Sequence, residues 1–397
     1  MKKQLIAGAL CCALNGTAYG ADLRINGFAS IVAGSASDDN MAVFGYEDEV
    51  SFSNESMFAI QVSSDLGDGL SATAQIVSRG RDDYDAKFEW AYVSYDINDS
   101  LRISAGKMRL PLFRYSDFIE VGYAYRWIRP PQSVYNFAFS TPTGLSLLHN
   151  TQIGDWDSTA QAVYGRFEGD FIAVTGQDRG KLNDILGFNW TMTRDWLTLR
   201  ASYVMAETTI SLDNSAQLTG LANALQQFGI QDEYNKLLIN EDDGTFIGVG
   251  FAIDYNNFLL DGEYTEIEVD NSLLAEQSQY YISVGYRLND WTVHLTYESN
   301  DDEHPTSRFN QVPETITAAN GEQIRVSTDS TNPNAPLIKD AMNNALRTAH
   351  NDTNTVSVGA RYDFHPSAAL KVEWSRLDND LSNQDNDVIA VAIDLVF

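Results

Sequence analysis

The chain has 397 residues, 55 of them acidic and 26 basic, and its formal charge is −29. This charge excludes a nucleic-acid binder that relies on a basic surface, because phosphate contacts require an excess of Lys and Arg. No window approaches 18 consecutive apolar residues, which excludes a helical membrane protein, and a hydrophobic share of 44% excludes a disordered chain.

Residues 1–20 are predicted to form a secretory signal peptide. Lys2 and Lys3 give it a positive start, the stretch 5–14 is apolar, and small residues precede Ala21 at a cleavage site. Both cysteines lie inside this segment, so the exported part, residues 21–397, is expected to be one cysteine-free domain with 24 basic against 55 acidic residues. Disulfides, thiol catalysis and cysteine-bound metals are thereby excluded.

Beyond residue 21 the main pattern is an alternation of apolar and polar residues with period two. In the segment 278–289, for example, Tyr280, Ile282 and Val284 alternate with small or polar residues, as in a strand with one apolar face. The segments have about 10–13 residues, twice the ~5–6 of a usual strand but close to the ~9–11 that a transmembrane barrel strand needs. Sixteen strands are predicted at residues 22–35, 55–66, 69–80, 87–98, 100–111, 144–154, 157–169, 182–193, 196–210, 245–256, 258–270, 278–289, 291–302, 353–364, 368–379 and 387–397.

Short polar turns alternate with longer polar loops between these strands. An even number of strands with this asymmetry is typical of transmembrane barrels with short turns on one side and longer loops on the other. A soluble β-sandwich or β-propeller is the alternative, but it would rarely repeat strand length and loop asymmetry sixteen times. The seven short turns are predicted near residues 65–69, 98–100, 154–157, 193–195, 255–257, 289–290 and 365–368.

Aromatic residues occur at equivalent hairpin positions. Trp156, Trp196, Phe258 and Trp291 stand beside short turns, where an aromatic girdle at a membrane interface is expected.

The signal peptide, the sixteen amphipathic strands, the long third loop and the terminal Phe397 together resemble the trimeric porins of Gram-negative outer membranes. The likeness covers the whole exported part. It implies a 16-stranded antiparallel barrel in the bacterial outer membrane, assembled as a homotrimer among outer-membrane lipid and lipopolysaccharide. It also implies that Phe397, preceded by apolar residues at alternate positions in 391–397, is the signal recognised by the barrel-insertion machinery.

A sixteen-stranded barrel leaves an aqueous channel in its centre. The sequence therefore predicts passive diffusion of small hydrophilic solutes and ions, without a cofactor, a metal or catalytic residues. The charges on the predicted inner face have mixed sign, and each of them also fits an ordinary solvated side chain. The basic residues assigned to this lumen wall are Arg200, Arg287, His294, Arg361 and Lys371.

The third loop, from Leu112 to about Pro142, is rich in aromatic and charged residues. An exposed loop of this kind would aggregate, so it is expected to fold against another part of the molecule. In the porins that the chain resembles, the third loop bends into the lumen and forms the constriction, where charges set a local field. Alternatively, the arginines only pair with acidic residues and hold the loop in place. The predicted constriction residues are Arg114, Asp117, Glu120, Arg126 and Arg129.

Apolar residues at helical spacing predict helices in the fifth loop, around Leu218–Phe228, and in the seventh, around Leu337–Leu346. Small residues on strands 1 and 3 make that wall a candidate subunit contact. Acidic runs such as 241–243 and 301–303 are solvated faces or bridge divalent cations to lipopolysaccharide.

Two other functions compete with that of an open channel. A barrel enzyme is disfavoured because no Gly-x-Ser-x-Gly motif occurs and the five histidines form no catalytic spacing. A substrate-selective porin for small organic anions or sugars is the closer alternative, suggested by the arginines and aromatic rings of the third loop. Mixed walls and an acidic exterior favour weakly cation-selective diffusion instead.

Overall fold

The computed structural model describes residues 22–38, 42–136, 140–173, 176–211, 216–227, 234–235, 237–272, 274–303, 315–317, 323–325 and 351–397. The predicted signal peptide and the predicted helix of the seventh loop lie outside these residues.

Sixteen of the strands described form one closed antiparallel barrel, in which the last strand pairs with the first. Two further strands, β14 and β15, pair only with each other. The strands are β1 (Asp22–Ala36), β2 (Met57–Gly67), β3 (Leu70–Arg79), β4 (Ala86–Asn98), β5 (Leu101–Lys107), β6 (Thr143–Ile153), β7 (Trp156–Ala173), β8 (Gly176–Arg194), β9 (Leu197–Ser211), β10 (Ile239–Tyr255), β11 (Phe258–Val269), β12 (Glu276–Leu288), β13 (Trp291–Glu303), β14 (Thr315–Thr317), β15 (Gln323–Arg325), β16 (Asp352–His365), β17 (Ala368–Asn379) and β18 (Gln384–Val396).

The predicted barrel is confirmed, with sixteen strands close to the expected positions. Strand β5 ends at Lys107 and not at residue 111, because its pairing with β4 and β6 stops there and Pro111 has no N–H to donate. Strands β7 and β8 are longer than predicted, since their pairing continues through Phe167 and Leu182. The fourth loop is therefore shorter than expected, because β7 and β8 pair as far as Ala173 and Gly176.

The barrel exposes its apolar face and buries its polar face. In β12, Tyr280, Ile282 and Val284 are exposed while Tyr281 and Ser283 alternate with them and are buried. This inversion is expected where the outer surface contacts lipid, because a strand protein in hydrocarbon must satisfy its backbone internally and present apolar side chains outward.

Several of the short connections contain a residue with left-handed backbone. Asn289, between β12 and β13, has a φ of +55°, and Asn256, between β10 and β11, has the same φ of +55°. Asn tolerates this conformation better than most residues, which explains its place in these two-residue turns.

The seam between β1 and β18 ends at the terminal residue. The backbone N–H of Phe397 donates to the carbonyl of Gly27 at 2.9 Å, and the N–H of Gly27 donates to the carbonyl of Phe397 at 2.7 Å. The Phe397 ring stacks on Phe58 with a centroid distance of 5.8 Å and remains largely exposed. Phe397 thus extends the seam by one residue on the outer face of the barrel.

The fifth loop contains a helix at Ala216–Gln227, which confirms the predicted helix there. Leu221 and Leu225 are its buried residues. Within the described residues, no helix is long and apolar enough to cross a membrane.

Candidate functional site

The third loop, residues 108–142 and named L3 here, lies inside the ring of strands. It leaves the wall after β5, yet it contacts strands around most of the barrel. The hydroxyl of Ser202 on β9 donates to the carbonyl of Leu112 at 2.8 Å, and the indole of Trp127 donates to Thr296 on β13 at 2.8 Å. On β17, Lys371 donates to the carbonyl of Gly122 at 2.6 Å. Strands on opposite sides of a closed ring share one loop only if that loop crosses the lumen.

An aromatic cluster forms the centre of L3. Trp127 is 1% exposed, and its ring lies edge-on to Tyr115 at 5.6 Å and to Tyr281 of β12 at 5.9 Å. Phe113 meets Tyr135 at 5.0 Å and Phe246 of β10 at 5.5 Å. Edge-to-face pairs of this kind contribute about 0.5–1.5 kcal/mol each beyond their buried area. This packing explains why the aromatic L3 folds against the barrel wall.

Arg126 lies buried between L3 and the wall. Its guanidinium is 2.5 Å from the Asp261 carboxylate on β11 and stacks over the Trp127 ring at 4.3 Å. Arg114 is less buried, and its guanidinium donates to the Tyr115 hydroxyl at 2.6 Å and lies 3.7 Å from Asp261. One wall carboxylate thus receives two arginines of the loop.

Arg129 is held by two carboxylates from different parts of the barrel. Its Nε and one terminal nitrogen each lie 2.6 Å from Glu55, and the other terminal nitrogen lies 3.0 Å from Glu373 on β17. Burial alone would lower the pKa of this guanidinium, but Glu55 and Glu373 together raise it. Arg129 is therefore a permanent charge in a fully matched ion-pair set.

Glu120 belongs to a closed set of four charges. Its carboxylate lies 2.7 Å from Arg79 and 3.4 Å from Arg109, and both arginines are 2.8 Å from Glu89 on β4. Burial alone would raise the pKa of the Glu120 carboxyl, but Arg79 and Arg109 outweigh it and hold that pKa below its usual range. Asp117, in contrast, is exposed.

Four of the five predicted wall residues contact L3 or its aromatic cluster. Lys371 donates to two L3 carbonyls and pairs with Asp394 of β18 at 2.8 Å. Arg361 donates to the carbonyls of Tyr123 and Tyr125, and Arg200 donates to that of Pro111. His294 is buried with its ring 6.4 Å from that of Trp127. Arg287 is the exception, because it pairs with Asp254 near the short turns at 2.7 Å.

The sequence-based selection of residues missed several members of these ion pairs, namely Glu55, Arg79, Glu89 and Arg109. Arg79, Glu89 and Arg109 all lie within predicted strands, and Arg79 follows the buried Gln75 and Val77 on the same face of β3. Glu55 begins the predicted strand 55–66 but precedes β2 in the structure, so the alternation does not give its face.

A cavity of about 1080 Å³ lies between L3 and the ends of β1–β7 that adjoin the long loops, and it is called the cavity above L3. Its lining contains charged side chains of both signs together with apolar side chains of L3. No group of three His, Cys, Asp or Glu side chains in the described ranges is placed to hold a metal ion.

A closed sixteen-stranded barrel with an apolar exterior and an inward third loop defines an outer-membrane channel barrel. The chain belongs to the Gram-negative porin family, whose model matches residues 7–384. It is an outer-membrane protein and a channel for solute diffusion rather than an enzyme.

Solved porin structures share the fold at low sequence identity. An anion-selective porin from Comamonas acidovorans is 11% identical with a TM-score of 0.59, covering 95% of this chain and 100% of the other. OmpF of Salmonella typhi, in complex with daunomycin, is 13% identical with a TM-score of 0.58, covering 95% and 98%. The outer-membrane channel DcaP of Acinetobacter baumannii is 13% identical with a TM-score of 0.54, covering 95% and 98%. No curated protein matches at the level of sequence.

Proposed function

We propose that this porin is a passive, weakly cation-selective channel for small hydrophilic solutes, with L3 as its constriction. The observation that carries the proposal is the course of L3 across the lumen, tied to β9, β13 and β17 by hydrogen bonds. A loop fixed at so many points narrows the passage at a constant position. The acid excess of the chain supports a preference for cations.

In this proposal some charged residues of L3 fix the shape of the constriction, and others contact the passing solute. Arg126 and Arg129 shape the constriction from within matched ion pairs. Asp117, exposed, and Arg114, partly exposed, meet the passing solute. Glu120 also fixes the shape of the constriction, because its ion pair with Arg79 holds L3 against β3. Of the wall residues, Arg287 is the most exposed to solvent and contributes to the mouth near the short turns.

We further propose that the signal peptide directs export of the chain across the inner membrane. The barrel-insertion machinery then recognises the terminal Phe397. In the outer membrane the protein functions as a homotrimer in contact with lipopolysaccharide. The exposed ring of Phe397 supports recognition by a separate factor, because it is accessible on the outer face.

A planar bilayer experiment tests the channel. The purified protein is reconstituted, and conductance and reversal potential are recorded in a KCl gradient. Large conductance steps closing in threes, with a small cation potential, are the expected result. Complete absence of conductance in a folded, heat-stable protein would contradict the proposal.

A selective channel for small organic anions is the second candidate. The specific observation in its favour is the cavity above L3, which is lined by seven basic and five acidic residues although the chain as a whole is strongly acidic. An anion potential in the same KCl gradient would favour this candidate over the first.

A further inference from the structure

The cavity above L3 contains more positive than negative side chains, and the ion pairs show which positive ones are in excess. The acidic residues on its lining are Glu55, Asp82, Glu89, Glu120 and Glu168. The basic residues on its lining are Arg79, Arg81, Lys87, Lys107, Arg109, Arg129 and Arg166.

Each of the five carboxylates is already paired. Glu55 binds Arg129, and Glu89 and Glu120 share Arg79 and Arg109. The two remaining carboxylates are matched near the rim, Asp82 by one cation and Glu168 by two, the second of which is Lys181 at 3.9 Å. Asp82 binds Lys87 at 3.0 Å, and Glu168 binds Arg179, which lies outside the cavity lining, at 3.2 Å.

Three cations of the lining form no close ion pair with a carboxylate in the described part of the chain, and two of them feel only a longer-range attraction, Arg81 from Glu120 and Lys107 from Glu89. Arg81 and Arg166 are exposed and form no ion pair there, and the ammonium of Lys107 donates to the backbone carbonyl of Phe88 at 2.8 Å. These three residues come from L2 (residues 80–85), the end of β5 and the bulge of β7, so three separate segments present them to one cavity.

The same cavity also offers apolar surface. Phe113, Ile119 and Ile128 of L3 lie on its lining together with Phe167 of β7. Pockets for organic molecules combine such surface with a few polar groups that fix orientation, and they typically enclose about 300–1,000 Å³. The chemistry therefore suits an anion with an apolar body better than a small inorganic ion.

We propose that Arg81, Lys107 and Arg166 form a binding site for a small polyvalent organic anion at the outer mouth of the channel. This inference deepens the proposed channel function and rests on it. It also moves the anion contact away from Arg114, Arg126 and Arg129, the last two of which are matched by buried carboxylates.

The test uses benzene-1,3,5-tricarboxylate as the probe and the neutral 1,3,5-benzenetrimethanol as its uncharged counterpart. Binding to the intact porin in detergent micelles is measured by calorimetry, and block of the ion current is measured in bilayers. The variant is R81Q/K107Q/R166Q. Its affinity for the tricarboxylate is expected to fall about tenfold, because exposed charge pairs are individually weak and act here in a set of three.

A matched control removes three exposed arginines that do not line the cavity, R24Q/R194Q/R376Q. This control changes the net charge equally and is expected to bind the tricarboxylate as the wild type does. The conservative variant R81K/R166K is expected to retain binding, because the charges remain. Inorganic phosphate is expected to bind more weakly than the tricarboxylate.

The two readouts separate the site from the channel. A conducting wild type that binds the tricarboxylate no better than the neutral triol would overturn the site and leave the channel intact. Equal binding by the wild type and the triple variant would overturn it as well. A protein that binds the tricarboxylate through these residues but never conducts would overturn the channel and support the site.

Discussion

Midway between the short turns and the long loops, the inner wall has two parts, which differ in the charge of their inward side chains. At mid-height of β2 to β8, neutral inward side chains bond to each other across strands, as in Gln75 with Gln61 at 3.1 Å and Gln161 with Ser146 at 2.9 Å, whereas Arg79 and Glu89 nearer the long loops join the ion pairs of L3. On β11 to β13 and β16 to β18, several inward side chains are ionisable and bond to L3, as Lys371 and Asp261 do.

The difference shows what charge does inside this barrel. The neutral part is satisfied by the strands themselves, so it needs no loop. The ionisable part consists of charges that would be expensive to bury alone, and L3 supplies their partners. Removal of a residue from the ionisable part should therefore cost much more than an equivalent removal from the neutral part.

Replacement of Lys371 is expected to have the largest effect. Lys371→Met leaves Asp394 buried without its partner and frees two carbonyls of L3, so the free energy of unfolding should fall by about 3–5 kcal/mol. Denaturant unfolding in micelles measures this. Arg376→Gln, an exposed site on the same strand, should lose less than about 1 kcal/mol. Similar losses at both sites would contradict the contrast.

Arg129→Gln should have the next largest effect, because Glu55 and Glu373 then face each other without a cation. A loss of about 3 kcal/mol in unfolding free energy is expected, since both carboxylates lose a charged hydrogen bond. Single-channel conductance should also rise as L3 loosens. Arg287→Gln, which removes an exposed ion pair, is the control and should leave the conductance unchanged.

Glu120 gives a pH-dependent effect. Because its pKa is held below the usual range by Arg79 and Arg109, its stabilising contribution is fully present above the pKa of an unfolded Glu, about 4.3. That contribution is lost only as pH falls through the lower folded pKa. Glu120→Gln should cost about 2 kcal/mol at neutral pH, and the cost should shrink below about pH 4.

Unfolding curves of wild type and Glu120→Gln at several pH values measure this difference. Asp117→Asn, at an exposed acid of the same loop, should show little difference at any pH. A wild-type advantage that already disappears between pH 7 and 5 would exclude a depressed pKa for Glu120.

Gln75→Leu in the neutral part should have the smallest effect, about 1 kcal/mol, because it removes one neutral hydrogen bond to Gln61. Thr73→Val, on the same face of β3, is the control. A loss as large as that of Lys371→Met would mean that the two parts of the wall do not differ in the way described.

Strand number, strand positions and the outward apolar face could be predicted because period two repeats over 10 or more residues in almost every strand. Strand β5 was overestimated since Arg109 and Leu110 continue the alternation in the sequence, while the pairing with β4 and β6 ends at Lys107. The prediction missed the extended ends of β7 and β8 because the polar residues there are equally typical of a loop.

The charged residues of L3 could be identified from sequence, but their partners could not. Arg129 lies 74 residues from Glu55 and 244 from Glu373 along the chain. Pairing over such separations depends on how the closed ring positions the strands, and no local pattern encodes that. For the same reason no local pattern marks Arg81, Lys107 and Arg166 as cations that form no close ion pair in the described residues.

The position of Gly122 has a consequence for the order of assembly. This glycine of L3 packs against Ser30 on β1 and Asp394 on β18, the two strands whose pairing closes the ring. Every other pair of the ring joins consecutive strands of the ring along the chain, with β14 and β15 set aside between β13 and β16, whereas the seam joins its two ends. Because Gly122 lies against both strands of that seam, this contact of L3 is complete only when the first and last strands have paired. Closure is then the step at which loop and wall become a single cooperative unit.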